Sequence, residues 1–233
     1  MNRTAVIHQP DFLPYLGFFD RLLNADVIVL LDNAQYVNST SRSWTNRDKI
    51  KTPKGERWIT ISVKAAARDT PINQIELSET VDWRNNHLNI LQENYRQAPF
   101  FGEIYPRVQA LYTRPCGLLA DFNRASIELL LELFDIRIEI IRASDLMATG
   151  RSNELLVDIL RTVHANHYLS GTGARAYFRP EPFETAGIKV TWQEFLHPVY
   201  PQLHGDFIPY LSSIDLLFNC GIVRSRDILR KSE

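Results

Sequence analysis

The chain has only two cysteines, Cys116 and Cys220, far apart and in ordinary contexts, which suits reduced core thiols better than a disulfide framework or a zinc site. It also lacks an excess of charge of either sign. With 26 Lys plus Arg against 27 Asp plus Glu, no global field recruits nucleic acid or an acidic membrane. No run of about 18 apolar residues is present to span a bilayer, and no cleavable signal is read before the first apolar run, so a cytoplasmic protein without membrane insertion is expected. Glycine is scarce. The one glycine-rich turn, Ser170-Gly-Thr-Gly173, has neither the full dinucleotide fingerprint nor the lysine of a P-loop. The six histidines are scattered and Asp32 has no carboxylate at ligand spacing, so no metal site is expected.

What is present is organised around the beginning. The short apolar run Ala5, Val6, Ile7 stops at His8, Gln9 and Pro10. Leu16, Phe19, Leu22 and Leu23 follow at helical spacing, and a second apolar run from Val27 to Leu31 ends in Asp32, Asn33, Ala34, Gln35 and Tyr36. Strand, loop, helix, strand is the pattern that lets two buried strands lie parallel. Ligands of open α/β sheets bind beyond the carboxyl ends of the strands, so His8, Gln9, Asp32, Asn33 and Gln35 are candidate site residues.

The stretch Asn38 to Lys54 is the most basic one. Arg42, Arg47, Lys49, Lys51 and Lys54 alternate with Trp44, Asn46 and other polar residues, and it reads either as a solvated loop or, given its place after Gln35, as an anion-binding loop. Arg57 to Lys64 alternates like a strand with Lys64 emerging at its end, and Ile72 to Leu77 reads as another short strand. Helical spacing then runs from Trp83 to Tyr95, Phe100 to Tyr112 and Leu118 to Phe134, with His87 read as a structural histidine. Strand and helix alternate again: a strand over Ile136 to Ile141, a helix after Ser152, a strand at His167 to Leu169 opening onto Ser170 and Gly171, a strand over Ile188 to Trp192, and a helix from Ser213 to Cys220. The fold expected is α/β, a mostly parallel Rossmann-like sheet in a single domain over 1–233, with a helical insertion around 83–134.

Several segments carry a resemblance. His8-Gln-Pro-Asp-Phe-Leu-Pro-Tyr-Leu-Gly-Phe-Phe-Asp20, Asp32-Asn-Ala-Gln-Tyr36, Thr45-Asn-Arg-Asp-Lys-Ile-Lys-Thr52, Tyr168-Leu-Ser-Gly171, His197-Pro-Val-Tyr-Pro-Gln202 and Ser213-Ile-Asp-Leu-Leu-Phe-Asn219 together resemble the WbqC-like family, associated with bacterial O-antigen and other surface-polysaccharide gene clusters. The resemblance implies transfer of a glycyl, aminoacyl or other small acyl unit in polysaccharide assembly and supplies no catalytic residue. A fainter likeness, Gln9 to Gly17 after a first strand with a second strand ending in Asp32, is to the HIGH-motif nucleotidylyl transferases and amide-forming ligases. Tyr15 and Phe18 stand where the HIGH histidines are expected, so this likeness implies the fold and leaves ATP-dependent ligation the lesser alternative.

Amide formation on a sugar amine needs a base for the amine proton and donors for the developing oxyanion. His8 is the candidate base, oriented by Asp32, or else a histidine that bonds loop backbone. Arg47, Lys49 and Lys64 are candidates for the phosphates of a nucleotide-sugar, a thioester or an adenylate. Tyr15, Tyr36, Asn46, Ser170 and Gly171 complete the substrate-binding candidates. The expected partners are a small-molecule substrate, a nucleotide-sugar with an acyl or aminoacyl donor, and no nucleic acid; no cofactor or oligomeric state is assigned. The alternative is a non-catalytic nucleotide-sugar binding or scaffold subunit of a polysaccharide-assembly complex.

Overall fold

In the computed structural model residues 2–37 and 43–231 are described. Arg42 lies outside them. The first two apolar runs are strands β1 (Thr4–His8) and β2 (Val27–Leu30), joined by helix α1 (Leu16–Leu23). They pair in parallel, with Ala5 beside Val27 and His8 beside Leu30. Their alternate residues serve two cores. Val6, Ile28 and Leu30 pack on one face with Leu16, Phe19 and Leu22 of α1, while Ala5, Ile7, Val27 and Val29 pack on the other. Each of the Val, Ile, Leu and Phe side chains, once fully buried, contributes roughly 1.5–3 kcal/mol. That is why both strands read as unbroken apolar runs rather than alternating ones.

Next come the hairpin strands β3 (Arg47–Thr52) and β4 (Gly55–Thr60), then helices α2 (Trp83–Tyr95), α3 (Phe101–Thr113) and α4 (Leu119–Phe134). The chain then returns to the main sheet with β5 (Glu139–Arg142), α5 (Ser152–Thr162), β6 (His167–Ser170), α6 (Glu181–Thr185), β7 (Lys189–Trp192) and α7 (Ile214–Arg230). The sheet order is β5-β2-β1-β6-β7 and every pairing is parallel. This is a Rossmann-like α/β fold. The chain builds outward from β1 to β2 and β5, then crosses back to place β6 and β7 on β1's other side. The reversal point between β1 and β6 is where an open α/β sheet leaves a crevice.

The helices divide between the faces. Buried side chains of α2, α3, α4, α7 and the hairpin join the core on the α1 face, whereas α5 and α6 supply Val157, Ile159, Leu160 and Phe183 to the opposite face.

Three local readings differ from the sequence expectation. The basic stretch is not all loop: Arg47–Thr52 is strand β3, because Asp48 and Ile50 turn inward while Arg47 and Lys49 lie outward beside Trp58 of β4. Ile72 to Leu77 is no regular strand. It is a 3-10 turn over Ile72–Gln74 followed by isolated bridges, since Ile72, Asn73 and Leu77 donate to three separate loop carbonyls rather than to one partner strand. Helix α7 continues past its expected end at Cys220, kinked at Gly221 (φ 70°, ψ 174°), where a side chain would meet the Phe100 ring.

Candidate functional site

The loop from Gln9 to Tyr15 leaves β1 and is held at many points. Asn123 Nδ2, fully buried in α4, donates to the carbonyls of Pro10 and Thr45 at 2.7 and 2.6 Å. Ser212 Oγ donates to the carbonyl of Leu13 at 2.7 Å, Ser213 Oγ bonds the carbonyl of Pro14, and the N–H of Leu13 donates to Ser126 Oγ. Leu13 itself sits at φ 41°, a left-handed conformation that a branched side chain adopts only when its surroundings impose it.

The loop borders a cleft of about 850 Å³ at the carboxyl ends of β1 and β6. From the β1 side it is lined by His8, Gln9, Asp11, Tyr15 and Arg21, from the β6 side by Tyr168 and the turn Gly171 to Ala174, and its walls include Trp44, Asp48, Tyr177 and Gln193. A second cleft, of about 530 Å³, is bounded by Arg124 and Arg142, but these are already paired with Glu128 and Asp121.

His8 Nδ1 lies 2.9 Å from the carbonyl oxygen of Gln9. A carbonyl only accepts, so the neutral ring carries its proton on Nδ1 and leaves the Nε2 lone pair free. The ring stands edge-on to Phe18, and its side chain is 30 % exposed, toward the cleft. Burial, aided by the Arg21 charge, pushes the His8 pKa down to about 3, so it is neutral at physiological pH. The carboxylate that reaches it is Asp11, with Oδ2 3.5 Å from Nδ1. Burial pushes Asp11 up to about 7 against the pull of Arg21. Asp48 is shifted the same way, mainly by burial and further by Asp11.

Arg21 was not singled out from the sequence. It occupies the last turn of α1, is 4 % exposed, and its Nε has no hydrogen-bond partner. Burial lowers its pKa, opposed by Tyr15, Tyr168, Asp11 and Asp20. A Cβ on Gly171 would lie 2.6 Å from its Nη1, so the guanidinium reaches the end of β6 because residue 171 has no side chain.

Of the residues expected from the sequence, His8, Gln9, Tyr15 and Gly171 line this cleft, and Ser170 sits beneath it, its Oγ donating to the Tyr168 hydroxyl. The others are placed elsewhere. Asp32 does not orient His8: its carboxylate accepts from the N–H and Oγ of Ser144 at 2.9 and 2.7 Å and so ties the end of β2 to the turn after β5. Asn33 is exposed, and exposed Gln35 donates to the Arg68 carbonyl. Tyr36 belongs to the core, and buried Asn46 donates to the Ile61 carbonyl. Arg47 lies 4.2 Å over Trp58, Lys49 pairs with Glu56, and exposed Lys64 pairs with Glu76. Asp11 and Arg21 were missed because an acid in a Pro-bounded loop and a cation in a helix look like surface residues. A signal for Arg21 existed: it falls three residues after Phe18, on the helix's buried side. Among the described residues no group of three or more His, Cys, Asp or Glu is arranged to hold a metal ion, and no helix is long and apolar enough to cross a membrane.

No solved structure matches the chain significantly. It is 31 % identical over 232 residues to a Mycobacterium tuberculosis (strain ATCC 25618 / H37Rv) protein named "Uncharacterized protein Rv1507c", covering 99 % of this chain and 98 % of that relative. The sequence profile of the WbqC-like protein family matches residues 9–227, and with nearly the whole chain covered the protein belongs to the WbqC-like family.

Proposed function

We propose that the protein is a small-group transferase that joins a glycyl, aminoacyl or acyl unit to an amine on an activated sugar in surface-polysaccharide assembly, with its chemistry in the cleft between β1 and β6. The observation that carries this reading is the pairing of His8 and Asp11, 3.5 Å apart, on a constrained loop at the sheet's reversal point. The substrate class comes from the family resemblance.

In the reaction the amine nitrogen attacks the carbonyl carbon of the activated acyl donor, the C–N bond forms, and the carbonyl electrons move onto oxygen. As the oxyanion collapses, the bond to the leaving group breaks and the leaving group departs with that electron pair. The amine must lose one proton. Asp11, raised to about 7, is a stronger base than an ordinary carboxylate and takes it. His8, neutral with its Nε2 lone pair free, accepts a hydrogen bond from the second N–H and aims the nitrogen.

The test is amide formation, followed by mass spectrometry, from uridine diphosphate-linked amino sugars and glycyl or acetyl coenzyme A thioesters. Wild type should form product, and Asp11→Asn should lower turnover by about a hundredfold or more, the usual worth of a general base. Binding of the sugar nucleotide without turnover under any donor would overturn catalysis in favour of the binding-subunit alternative.

A further inference from the structure

An arginine buried to 4 % exposure is costly unless its charge is met. Among the described residues Arg21 makes no ion pair at salt-bridge distance. Its Nε lacks any partner, and its aromatic contact, the Phe18 ring centred 5.9 Å from the guanidinium carbon, is a distant one. Tyr15, Tyr168, Asp11 and Asp20 oppose the lowering of its pKa, but both tyrosines are neutral near pH 7 and Asp11 is itself raised to about 7. Asp20 is engaged by Gln193, whose Nε2 donates to its Oδ2. The fold nevertheless makes room for the guanidinium at the reversal point of the sheet, through the absence of a side chain at Gly171, and borders it with the cleft.

We propose that Arg21 is the seat of an anionic group of the ligand, a phosphate or a carboxylate, which enters the cleft between the ends of β1 and β6 and meets the guanidinium where it borders that cleft. Arg is suited to this because its planar fork meets two oxygens of either anion at once. The group would sit beside His8 and Asp11, so the seat positions the remainder of the ligand against that pair. This rests on the same cleft as the proposed function but requires no turnover.

Two probes distinguish the sources of the anion: inorganic pyrophosphate and N-acetylglycine, titrated by calorimetry at fixed ionic strength. One of them should bind wild type, and that one names the source. Arg21→Met should weaken its binding by about thirtyfold or more, the effect of removing one partner of a buried charge pair, and Arg21→Lys should recover part of the loss. The melting temperature of Arg21→Met should be equal to or higher than that of wild type, because an internal cation without an ion partner is replaced by an apolar chain of similar length. A merely structural arginine would move it down. Gly171→Ala, which displaces Nη1 without removing the charge, should also weaken binding and decides the matter if Arg21→Met does not fold. The proposal is overturned if neither anion binds wild type, or if affinity is unchanged in Arg21→Met or, failing that variant, in Gly171→Ala. Anion binding without amide formation would leave this seat standing and sink the transferase reading; amide formation indifferent to Arg21 would do the reverse.

Discussion

His8 Nδ1 lies 3.5 Å from Asp11 Oδ2, and burial drives the two groups in opposite directions, the imidazole down to about 3 and the carboxyl up to about 7. Both shifts favour the uncharged form. Together they leave a polar, nearly neutral pair at the mouth of β1, next to the buried cation of Arg21.

The first prediction concerns stability against pH. The unfolded state binds one more proton than the folded state at His8 between about 3 and 6.5, so the His8 contribution is lost as pH falls through that window. At Asp11 the folded state binds the extra proton between 3.8 and about 7, so that contribution is full at the acid end and lost as pH rises. In wild type the two slopes oppose. Relative to wild type, Asp11→Asn should therefore gain stability as pH rises from about 4 to 7, and His8→Gln should lose stability over about 3 to 6.5. Urea unfolding across pH measures both, and parallel profiles for all three proteins would contradict the assignment.

Asn123 fixes the site from beneath. Removing its amide in Asn123→Ala strips the carbonyls of Pro10 and Thr45 of a buried donor. The expected cost is about 1–3 kcal/mol, with the loop bearing Asp11 loosened. Hydrogen exchange should speed up selectively from Gln9 to Tyr15; uniform protection would remove Asn123 as the loop's anchor.

A second buried network closes the chain's end onto the hairpin. Asp215 accepts from Tyr95 Oη at 2.7 Å, Tyr200 Oη at 3.0 Å and Gln202 Nε2 at 2.9 Å, while Lys51 Nζ reaches the carbonyls of Gly205 and Asp206. Asp215→Ala leaves three donors without their acceptor and should cost about 3 kcal/mol or more in a urea titration. A loss under about 1 kcal/mol would mean that water replaces the carboxylate.

Lys64 is a contrasting case. Its pair with Glu76 is exposed on both sides, 59 and 58 %, so Lys64→Ala should change stability by no more than about 1 kcal/mol. Cleft binding of either anion probe should be unchanged as well. Weakened binding would return Lys64 to the site.

The sheet was legible because burial on both faces writes itself as runs of Val, Ile and Leu, as in Val27–Leu30, and because β1-α1-β2 is local in sequence. His8, Gln9 and Gly171 come to line the cleft by the same rule, since they stand at or just past the carboxyl ends of β1 and β6. Arg47–Thr52 misled because a strand whose outward face is Arg and Lys has the composition of a loop. The Asp32 assignment failed for a different reason. Its partner Ser144 is over a hundred residues away, and nothing in sequence says which of two neighbouring acids, Asp11 or Asp32, turns toward His8. The burial of Arg21 is likewise a property of the assembled sheet, since it depends on Gly171 arriving beside α1.

The most direct measurement is an NMR titration of the wild type and Asp11→Asn, following the imidazole nitrogens of His8 and the carboxyl carbon of Asp11. His8 should remain neutral and protonated on Nδ1 well below its ordinary value of 6.5, and the Asp11 carboxyl should titrate near 7. A His8 that takes up its proton between about 6 and 7, with Asp11 ionised from about 4 upward as in model peptides, would contradict the opposed shifts on which the proposed chemistry stands.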